Sequence, residues 1–310
     1  MGAQMPDVSV IIPAYGEHDS RHSLAAVTSA WLAQEVPCEV VVATAGEIPV
    51  SVADDIDSDR RVRVVRAAPG ATAPGLLRNI AASQAHSPWL YLSDADIAPL
   101  GRDYLDRALR LAGSGALAQP WMYRLPGGVQ ALASHAAVDA RLQGTGSFCF
   151  VAMRPDGRLR PIKGERFVWR DPGRDEDPVK RPMVLAPNTT LDPGNLERHQ
   201  WRAPYHWGGL LVETRTFWAV AGYCEQYSGW GREDDDLLTK VTARSRVVCG
   251  WRAEPSLCCL HFEHSLPYAG SAAERANDSR YVERLMAGAE AMIEADRAAH
   301  TTPGGQIPGS

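Results

Sequence analysis

The strongest constraint on the fold is the alternation of strand and helix patterns over the first hundred residues. Residues 8–12 form a short β-branched run that Pro13 ends, and residues 22–34 then carry apolar side chains at helical spacing. The next patterns are strand, strand, helix and strand, at residues 39–44, 61–66, 74–84 and 89–93. Strands that alternate with helices form a parallel sheet with its functional loops at the carboxyl ends of the strands. The sequence therefore predicts an α/β protein.

Composition excludes several classes of protein. The chain has 310 residues, of which 45% are hydrophobic and 22% charged, the usual mixture of a globular protein. Its net charge of -5 argues against a nucleic-acid-binding protein, which usually carries a basic excess. No run approaches the ~18 apolar residues of a membrane-spanning helix. Six cysteines without CxxC spacing indicate reduced thiols. We expect a soluble cytoplasmic protein; the oligomeric state stays open.

The chain divides into three predicted parts. Residues 1–100 form a first half, which holds the alternating strand and helix patterns, and residues 101–265 form a second half. Within the second half, residues 154–202 are crowded with Pro, Gly, Arg and Asp, which predicts a long irregular or mobile loop. Residues 266–310 are predicted to be a C-terminal helix, over residues 274–299, and a tail.

Two carboxylates directly follow the strand predicted at residues 89–93. Asp94 and Asp96 are separated by one residue, at the edge of an open α/β sheet where ligands bind. Oxygen ligands of this kind suit Mn²⁺ or Mg²⁺, and such an ion can neutralise a diphosphate. The alternative is a turn or a helix cap, which Asp also favours.

A second cluster of carboxylates follows a tryptophan between two glycines. Residues 229–236 read GWGREDDD, with four consecutive acidic residues. The dipole of a helix start explains one or two of these carboxylates but not the tryptophan. Glycines allow close approach of the backbone, and Trp230 offers a flat apolar wall for a sugar ring. A carboxylate beside that wall is suited to act as a general base.

A third candidate is the pair His261 and His264. The two imidazoles follow an apolar run and are three residues apart, so both can reach one metal ion if the chain turns there. The alternative is a pair of surface histidines.

In this order, the motifs resemble those of a GT-A glycosyltransferase. The segments VSVIIPAYGE at residues 8–17 and LYLSDADIAP at residues 90–99 are similar to the opening and the metal motif of the inverting family 2. Residues 206–237, HWGGLLVETRTFWAVAGYCEQYSGWGREDDDL, resemble the acceptor half of β1,4-galactosyltransferases and chondroitin polymerases. The resemblance covers about residues 7–100 and 205–282, and implies a mixed, mostly parallel sheet flanked by helices. It also implies that residues 1–100 are the nucleotide-sugar-binding half of a GT-A domain and residues 101–265 the acceptor-binding and catalytic half.

The resemblance also implies roles for individual residues. It implies a donor site formed by Pro13, Ala14, Tyr15, Glu17, Arg78, Asp94, Asp96, Gly209, Trp230 and Gly231, with Asn79 beside Arg78 and Gly208 beside Gly209. It implies that Asp96, His261 and His264 bind Mn²⁺ or Mg²⁺. Asp234 would be the catalytic base and Glu233 would hold the acceptor hydroxyls, next to Trp230 and Arg232.

Two departures from the family pattern bear on specificity. The second strand ends Ala43-Thr44-Ala45-Gly46-Glu47, without the aspartate that reads uracil in family 2, so the nucleotide base is left open. Arg232 replaces a small residue beside the acceptor carboxylates, and an added cation there hints at an acidic or phosphorylated acceptor.

The predicted activity is metal-dependent, inverting hexosyl transfer from a nucleoside-diphosphate sugar to a hydroxyl-bearing acceptor. Two alternatives stay open. One is a sugar-nucleotide-binding partner subunit without turnover, which has no physical need for Asp96 and Asp234. The other is a nucleotidyltransferase, which would place a glycine-rich basic loop after the first strand, and residues 13–20 show none. The product distinguishes these functions. A transferase releases free nucleoside diphosphate, a nucleotidyltransferase releases pyrophosphate, and a binding subunit forms no product.

Overall fold

The computed structural model describes most of the chain as a mixed α/β unit. The described residues are 5–15, 23–46, 59–68, 73–132, 138–140, 142, 148–170, 181–187, 201–264 and 271–299. The strands, β1 to β15, are Val8–Ala14, Cys38–Thr44, Val62–Arg66, Trp89–Leu92, Ile97–Pro99, Ala116–Ala118, Trp121–Leu125, Val151–Met153, Leu159–Pro161, Arg166–Arg170, Arg181–Leu185, Trp201–Arg202, Leu210–Glu213, Val247–Cys249 and Cys258–Phe262. The α-helices, α1 to α8, are Leu24–Leu32, Pro74–Ser83, Tyr104–Ala112, Thr214–Ala219, Glu233–Arg244, Gly250–Ala253, Ala272–Ala287 and Ala289–Ala299, and a 3₁₀ helix spans Gly128–Ala131.

The main sheet has seven strands in the order β14-β6-β13-β4-β1-β2-β3. Strands β1 and β2 are buried along their whole length, as expected for apolar runs covered on both faces. Only β13 runs antiparallel to its neighbours, β4 and β6. The predicted fold class, a mixed and mostly parallel sheet flanked by helices, is confirmed. Because β13 pairs with β4, the two predicted halves share one continuous sheet.

A smaller sheet brings strand β15 to the DxD motif, which is Asp94 and Asp96. Strand β15 lies between β5 and β7, and His261 on β15 is opposite Ile97 on β5. The backbone N–H of Phe262 donates to the carbonyl of Asp96. This pairing places residues that are 165 positions apart in the sequence, Asp96 and His261, side by side.

Two segments differ from the sequence predictions. The described residues between 154 and 202 include strands β9 to β12, in a two-stranded and a three-stranded sheet. These strands have only two to five residues, too few to show an apolar periodicity. The single helix predicted over residues 274–299 is instead two helices, α7 and α8, because Gly288 adopts φ +90° and ends the first.

The outer face of the C-terminal region is partly apolar, with Met286 exposed on α7. Among the described residues, no helix combines the length and the apolar character needed to cross a membrane.

Candidate active site

Asp96, His261 and His264 form one cluster, as predicted for a metal site. Their ligand atoms lie within 4.8 Å of one another. The Nε2 atom of His264 lies 2.7 Å from Asp96 Oδ2, and that of His261 lies 3.3 Å from the same oxygen. Burial of Asp96 favours its neutral form, but the two imidazoles outweigh burial and hold its pKa well below the ordinary value. The carboxylate is therefore ionised.

The donor set fits a divalent transition metal. Two imidazole nitrogens and one carboxylate oxygen suit Mn²⁺ better than Mg²⁺, which prefers oxygen ligands alone. Three side chains leave coordination positions for oxygens of a bound molecule. The residues present thus fit the metal that the sequence predicts.

Asp94 points to a different set of partners from Asp96. One of its oxygens accepts a hydrogen bond from Arg78, and the other lies 2.9 Å from Nε2 of His206. Loss of solvent raises the pKa of Asp94, but Arg78 and His206 outweigh this effect and lower the pKa to about 2. The side chain keeps 36% of its surface exposed, so the ionised carboxylate is open to a ligand.

His206 is buried and carries a charge at neutral pH. Burial lowers the pKa of its imidazole, but the hydrogen bond to Asp94 outweighs burial and raises it to about 10. Its Nδ1 has no hydrogen-bond partner among the described residues. A Cβ at Gly209 would come within 2.7 Å of that Nδ1, so glycine is required where the chain passes the ring.

We expect His206→Gln to lower stability in a pH-dependent way. The folded pKa, about 10, lies above the ordinary value of 6.5, so the stabilisation is complete below about pH 6.5 and is lost as pH rises through about 10. At about pH 6 the variant should lose about 1.5–3 kcal/mol of unfolding free energy, and much less near pH 10. Urea unfolding of both proteins measures this difference. His86→Gln, at an exposed histidine, is the matched control; an equal deficit at both pH values would contradict the assignment.

The four acidic residues 233–236 occupy the first turn of α5, where the helix dipole favours them. The last two are engaged by the protein itself. Asp235 accepts from Trp207 Nε1 at 2.9 Å and pairs with Arg232. Asp236 is fully buried and accepts from Tyr227 and Arg284. These two carboxylates hold the helix in place.

Arg78 lies between Asp94 and the acidic pair Glu233 and Asp234. The guanidinium of Arg78 is 98% buried and lies 3.4 Å from Asp234 Oδ1 and 3.7 Å from Glu233 Oε1. Burial raises the pKa of Glu233 to about 8, with a further contribution from the charge of Asp234. Burial also raises the pKa of Asp234. With a pKa of about 8, Glu233 holds a proton at neutral pH and adds no second negative charge beside Asp234.

Asp234 is oriented by two neighbours. The hydroxyl of Tyr223 donates to Oδ1 at 3.0 Å. A Cβ at Gly208 would come within 2.8 Å of Oδ2, so only glycine leaves room for the carboxylate there. With 18% of its side chain exposed, Asp234 is the more accessible of the two catalytic candidates, while Glu233 has 5%.

The end of β1 adjoins this cluster. Pro13 and Ala14 are buried on β1, and Tyr15 follows them. Burial raises the pKa of the Tyr15 hydroxyl, and the charge of Glu233 raises it further, so Tyr15 lies near the acidic pair. Glu17, also predicted in the donor site, lies outside the described residues.

The loop that carries Trp230 is held by helix α7. Asn277 is buried and donates to the carbonyls of Ser228 and Trp230, at 3.0 and 3.2 Å. Gly229 and Gly231 have positive φ, so both need glycine. Trp230 itself is 39% exposed. The structure therefore presents a large aromatic face on an anchored loop.

Two predicted binding residues are engaged within the protein. Arg232 donates to Asp278 at 2.6 Å and to Asp235 at 2.8 Å, so two carboxylates compensate its charge. The hint of an acidic acceptor is weakened accordingly, since the guanidinium has partners already. Asn79 is fully buried, donates to the carbonyl of Tyr223 and accepts from the N–H of the same residue. It anchors the chain that carries Tyr223.

Sequence reasoning gave no role to three groups in this site. His206 and Tyr223 contact the two key aspartates, Asp94 and Asp234, and Glu263 lies beside His261. The histidine in the HWGG segment and the glutamate between the two metal-site histidines were the available signals. Neither has a spacing that assigns it a partner.

One segment of the chain matches a known protein family. Residues 196–264 match the family model described as the N-terminal domain of galactosyltransferase. That segment contains Glu233, Asp234, His261 and His264. No curated protein matches the chain by sequence.

Three solved structures resemble the chain at low sequence identity. Residues 1–349 of S. aureus TarS, in complex with UDP, share 12% identity over 95% of this chain and 66% of that chain, with a TM-score of 0.47. The mannosyltransferase PcManGT from Pyrobaculum calidifontis, in complex with GDP-Man and Mn²⁺, shares 14% identity over 96% of this chain and 75% of that chain, at 0.48. GalNAc-T7, with UDP, GalNAc and Mn²⁺, shares 16% identity over 91% of this chain and 48% of that chain, with a TM-score of 0.49.

These likenesses are remote, and the chain spans less than two thirds of the TarS structure first compared. Glycosyltransferase is the class of protein that the matched segment is similar to. The particular activity has to be argued from the geometry of the site.

Proposed function

We propose that this protein is a metal-dependent, inverting glycosyltransferase of the hexosyltransferase type, with a GT-A fold. It moves a sugar from a nucleoside-diphosphate sugar to a hydroxyl acceptor, with Asp234 as general base. The observation that carries the proposal is the position of Arg78, which contacts Asp94 on the donor side and both Glu233 and Asp234 on the other side. One buried cation thus joins the DxD motif to the acidic helix start.

The donor would lie at the carboxyl ends of β1 and β4, where open α/β sheets bind ligands. Asp94 offers an exposed, ionised carboxylate to the hydroxyls of a ribose. Asp96, His261 and His264 would hold Mn²⁺, which supplies positive charge to stabilise the departing nucleoside diphosphate. Tyr15 and Trp230 would enclose the nucleotide and the donor sugar.

The acceptor hydroxyl must lose its proton as its oxygen attacks the anomeric carbon. Asp234 is suited to take that proton because burial raises its pKa, which makes the carboxylate a stronger base than a solvated one. Tyr223 fixes one carboxylate oxygen, which leaves Oδ2 for the acceptor. Glu233, protonated at neutral pH, can donate a hydrogen bond to a second acceptor hydroxyl. A single displacement of this kind inverts the anomeric configuration.

Product analysis tests this proposal against the two alternatives. The protein is incubated with Mn²⁺ and UDP-, GDP-, TDP-, ADP- or CDP-linked sugars, with a pool of hydroxyl acceptors, and the released nucleotides are separated. A transferase releases nucleoside diphosphate in amounts equal to the glycosylated product. Pyrophosphate formation from a sugar phosphate and a nucleoside triphosphate would identify a nucleotidyltransferase. Donor binding without any product would identify a binding subunit and contradict the proposal.

A further inference from the structure

The second ring nitrogen of His261 has its own partners. While Nε2 faces Asp96 at 3.3 Å, Nδ1 lies 3.2 Å from a guanidinium nitrogen of Arg124 and 3.5 Å from Oε1 of Glu263. Neither Arg124 nor Glu263 is explained by the proposed transfer reaction. Both lie in the smaller sheet or at its edge, on β7 and directly after β15.

The two partners have opposite effects on the metal-binding nitrogen. A neutral imidazole carries one proton, so Nε2 can bind a metal ion only if that proton resides on Nδ1, where it needs an acceptor. Arg124 has no acceptor and can only donate to Nδ1, which would place the proton on Nε2. Glu263 has only acceptors and favours the proton on Nδ1. Of these two neighbours, only Glu263 supports the metal-binding form of the ring.

Glu263 is held in place for this role. The guanidinium of Arg124 donates to its Oε1 at 2.7 Å, and Arg202 lies 3.9 Å from the same oxygen. Its backbone N–H donates to the carbonyl of Leu125 on β7. With 16% of its side chain exposed, the carboxylate has little freedom to turn away. The Arg124 nitrogen that approaches Nδ1 of His261 makes its shorter contact, 2.7 Å against 3.2 Å, with the carboxylate of Glu263.

We infer that Glu263 is a positioning residue of the metal site, which accepts the Nδ1 proton of His261 and so directs Nε2 at the ion. The inference rests on the proposed function in one respect, since it needs a divalent ion at Asp96, His261 and His264. Glu263 does not touch the ion. Its effect is on the affinity for the metal alone, before any sugar nucleotide binds.

The test is the affinity of the protein for Mn²⁺ without nucleotide, measured by isothermal titration calorimetry on the full chain. Glu263→Gln should raise the Mn²⁺ Kd about 10–100-fold, because an amide accepts more weakly and can turn its NH₂ group to Nδ1. Glu254→Gln is the matched control. Glu254 is also a glutamate paired with an arginine, Arg107, but it lies on the surface away from the histidines. It should leave the Kd unchanged.

Stability separates positioning from a general structural role. Circular dichroism and the melting temperature of the metal-free proteins show whether the variant is folded, and the titration is made well below that temperature. A Glu263→Gln protein that melts earlier but binds Mn²⁺ with the wild-type Kd would overturn the inference. Weaker binding by a folded variant supports it. A wild-type protein that binds no Mn²⁺ would overturn both this inference and the metal dependence of the proposed function, whereas an unchanged Kd in the variant overturns the inference alone.

Discussion

Asp234→Asn is expected to lower the rate of sugar transfer by about 10²–10⁴-fold, the usual contribution of a general base. The variant should stay folded, because asparagine has nearly the same shape and its carbonyl can still accept from Tyr223. Its stability at alkaline pH should be equal or slightly higher, since a carboxylate whose pKa is raised by burial is costly to ionise. The rate is measured as nucleoside diphosphate formed with donor and acceptor present.

Two controls show whether the Asp234→Asn effect is specific. Asp106→Asn changes an exposed aspartate paired with Arg110 on α3 and should leave the rate unchanged. Binding of nucleoside diphosphate with Mn²⁺ should survive in the Asp234 variant, since the donor and metal residues are intact. Transfer at the wild-type rate would contradict the role of Asp234; loss of nucleotide binding together with activity would indicate damage to the whole site.

The second large effect is expected from Arg78→Met, which removes the cation between Asp94, Glu233 and Asp234. Methionine fills a similar volume, but the carboxylates lose their buried partner. Breaking a buried ion pair typically costs about 3–5 kcal/mol of unfolding free energy. Arg78 lowers the pKa of both Glu233 and Asp234, so its removal raises both pKa values further.

The sign of the pH dependence follows from these shifts. A group whose folded pKa is raised makes the protein less stable as pH increases towards that pKa, because the folded state then binds more protons than the unfolded state. The deficit of Arg78→Met should therefore be larger near pH 8 than near pH 5.5, as measured by urea unfolding at both pH values. Arg110→Met, at an exposed arginine, controls for the loss of a surface charge. A deficit that is the same at both pH values would show that Arg78 acts through packing alone.

The centre of the main sheet was predictable because strands β1 and β2 are buried along their whole length. The apolar runs at residues 8–12 and 39–44 flank one helix with apolar periodicity, and each of them forms the predicted strand. The short strands β8 to β12 were not predictable, since two to five residues carry no period. The break at Gly288 could have been read from the glycine, which is common where a helix ends.

Within the site, local motifs were visible and the links between them were not. Asp96, His261 and His264 each stand in a recognisable motif, and the structure brings them together. The resemblance named Arg78 for the donor site but not its partners, and it gave His206 no role; the partners of these two residues are 16 to 156 positions away along the chain. Contacts of that range depend on the packing of α2, β4 and α5, which no local pattern specifies. The pairing of Arg232 with Asp235 and Asp278 was not predictable for the same reason.

We propose that the DxD motif and the two histidines form one nucleotide and metal pocket. The most direct measurement is the melting temperature with UDP, GDP, TDP, ADP or CDP, each with Mn²⁺, Mg²⁺ or EDTA. Mass action predicts that the product of the true donor raises the melting temperature only when metal is present. We expect one diphosphate to do so with Mn²⁺, and Asp96→Ala to abolish that shift. If no diphosphate shifts the wild-type protein with either metal, the pocket does not exist and the account is contradicted.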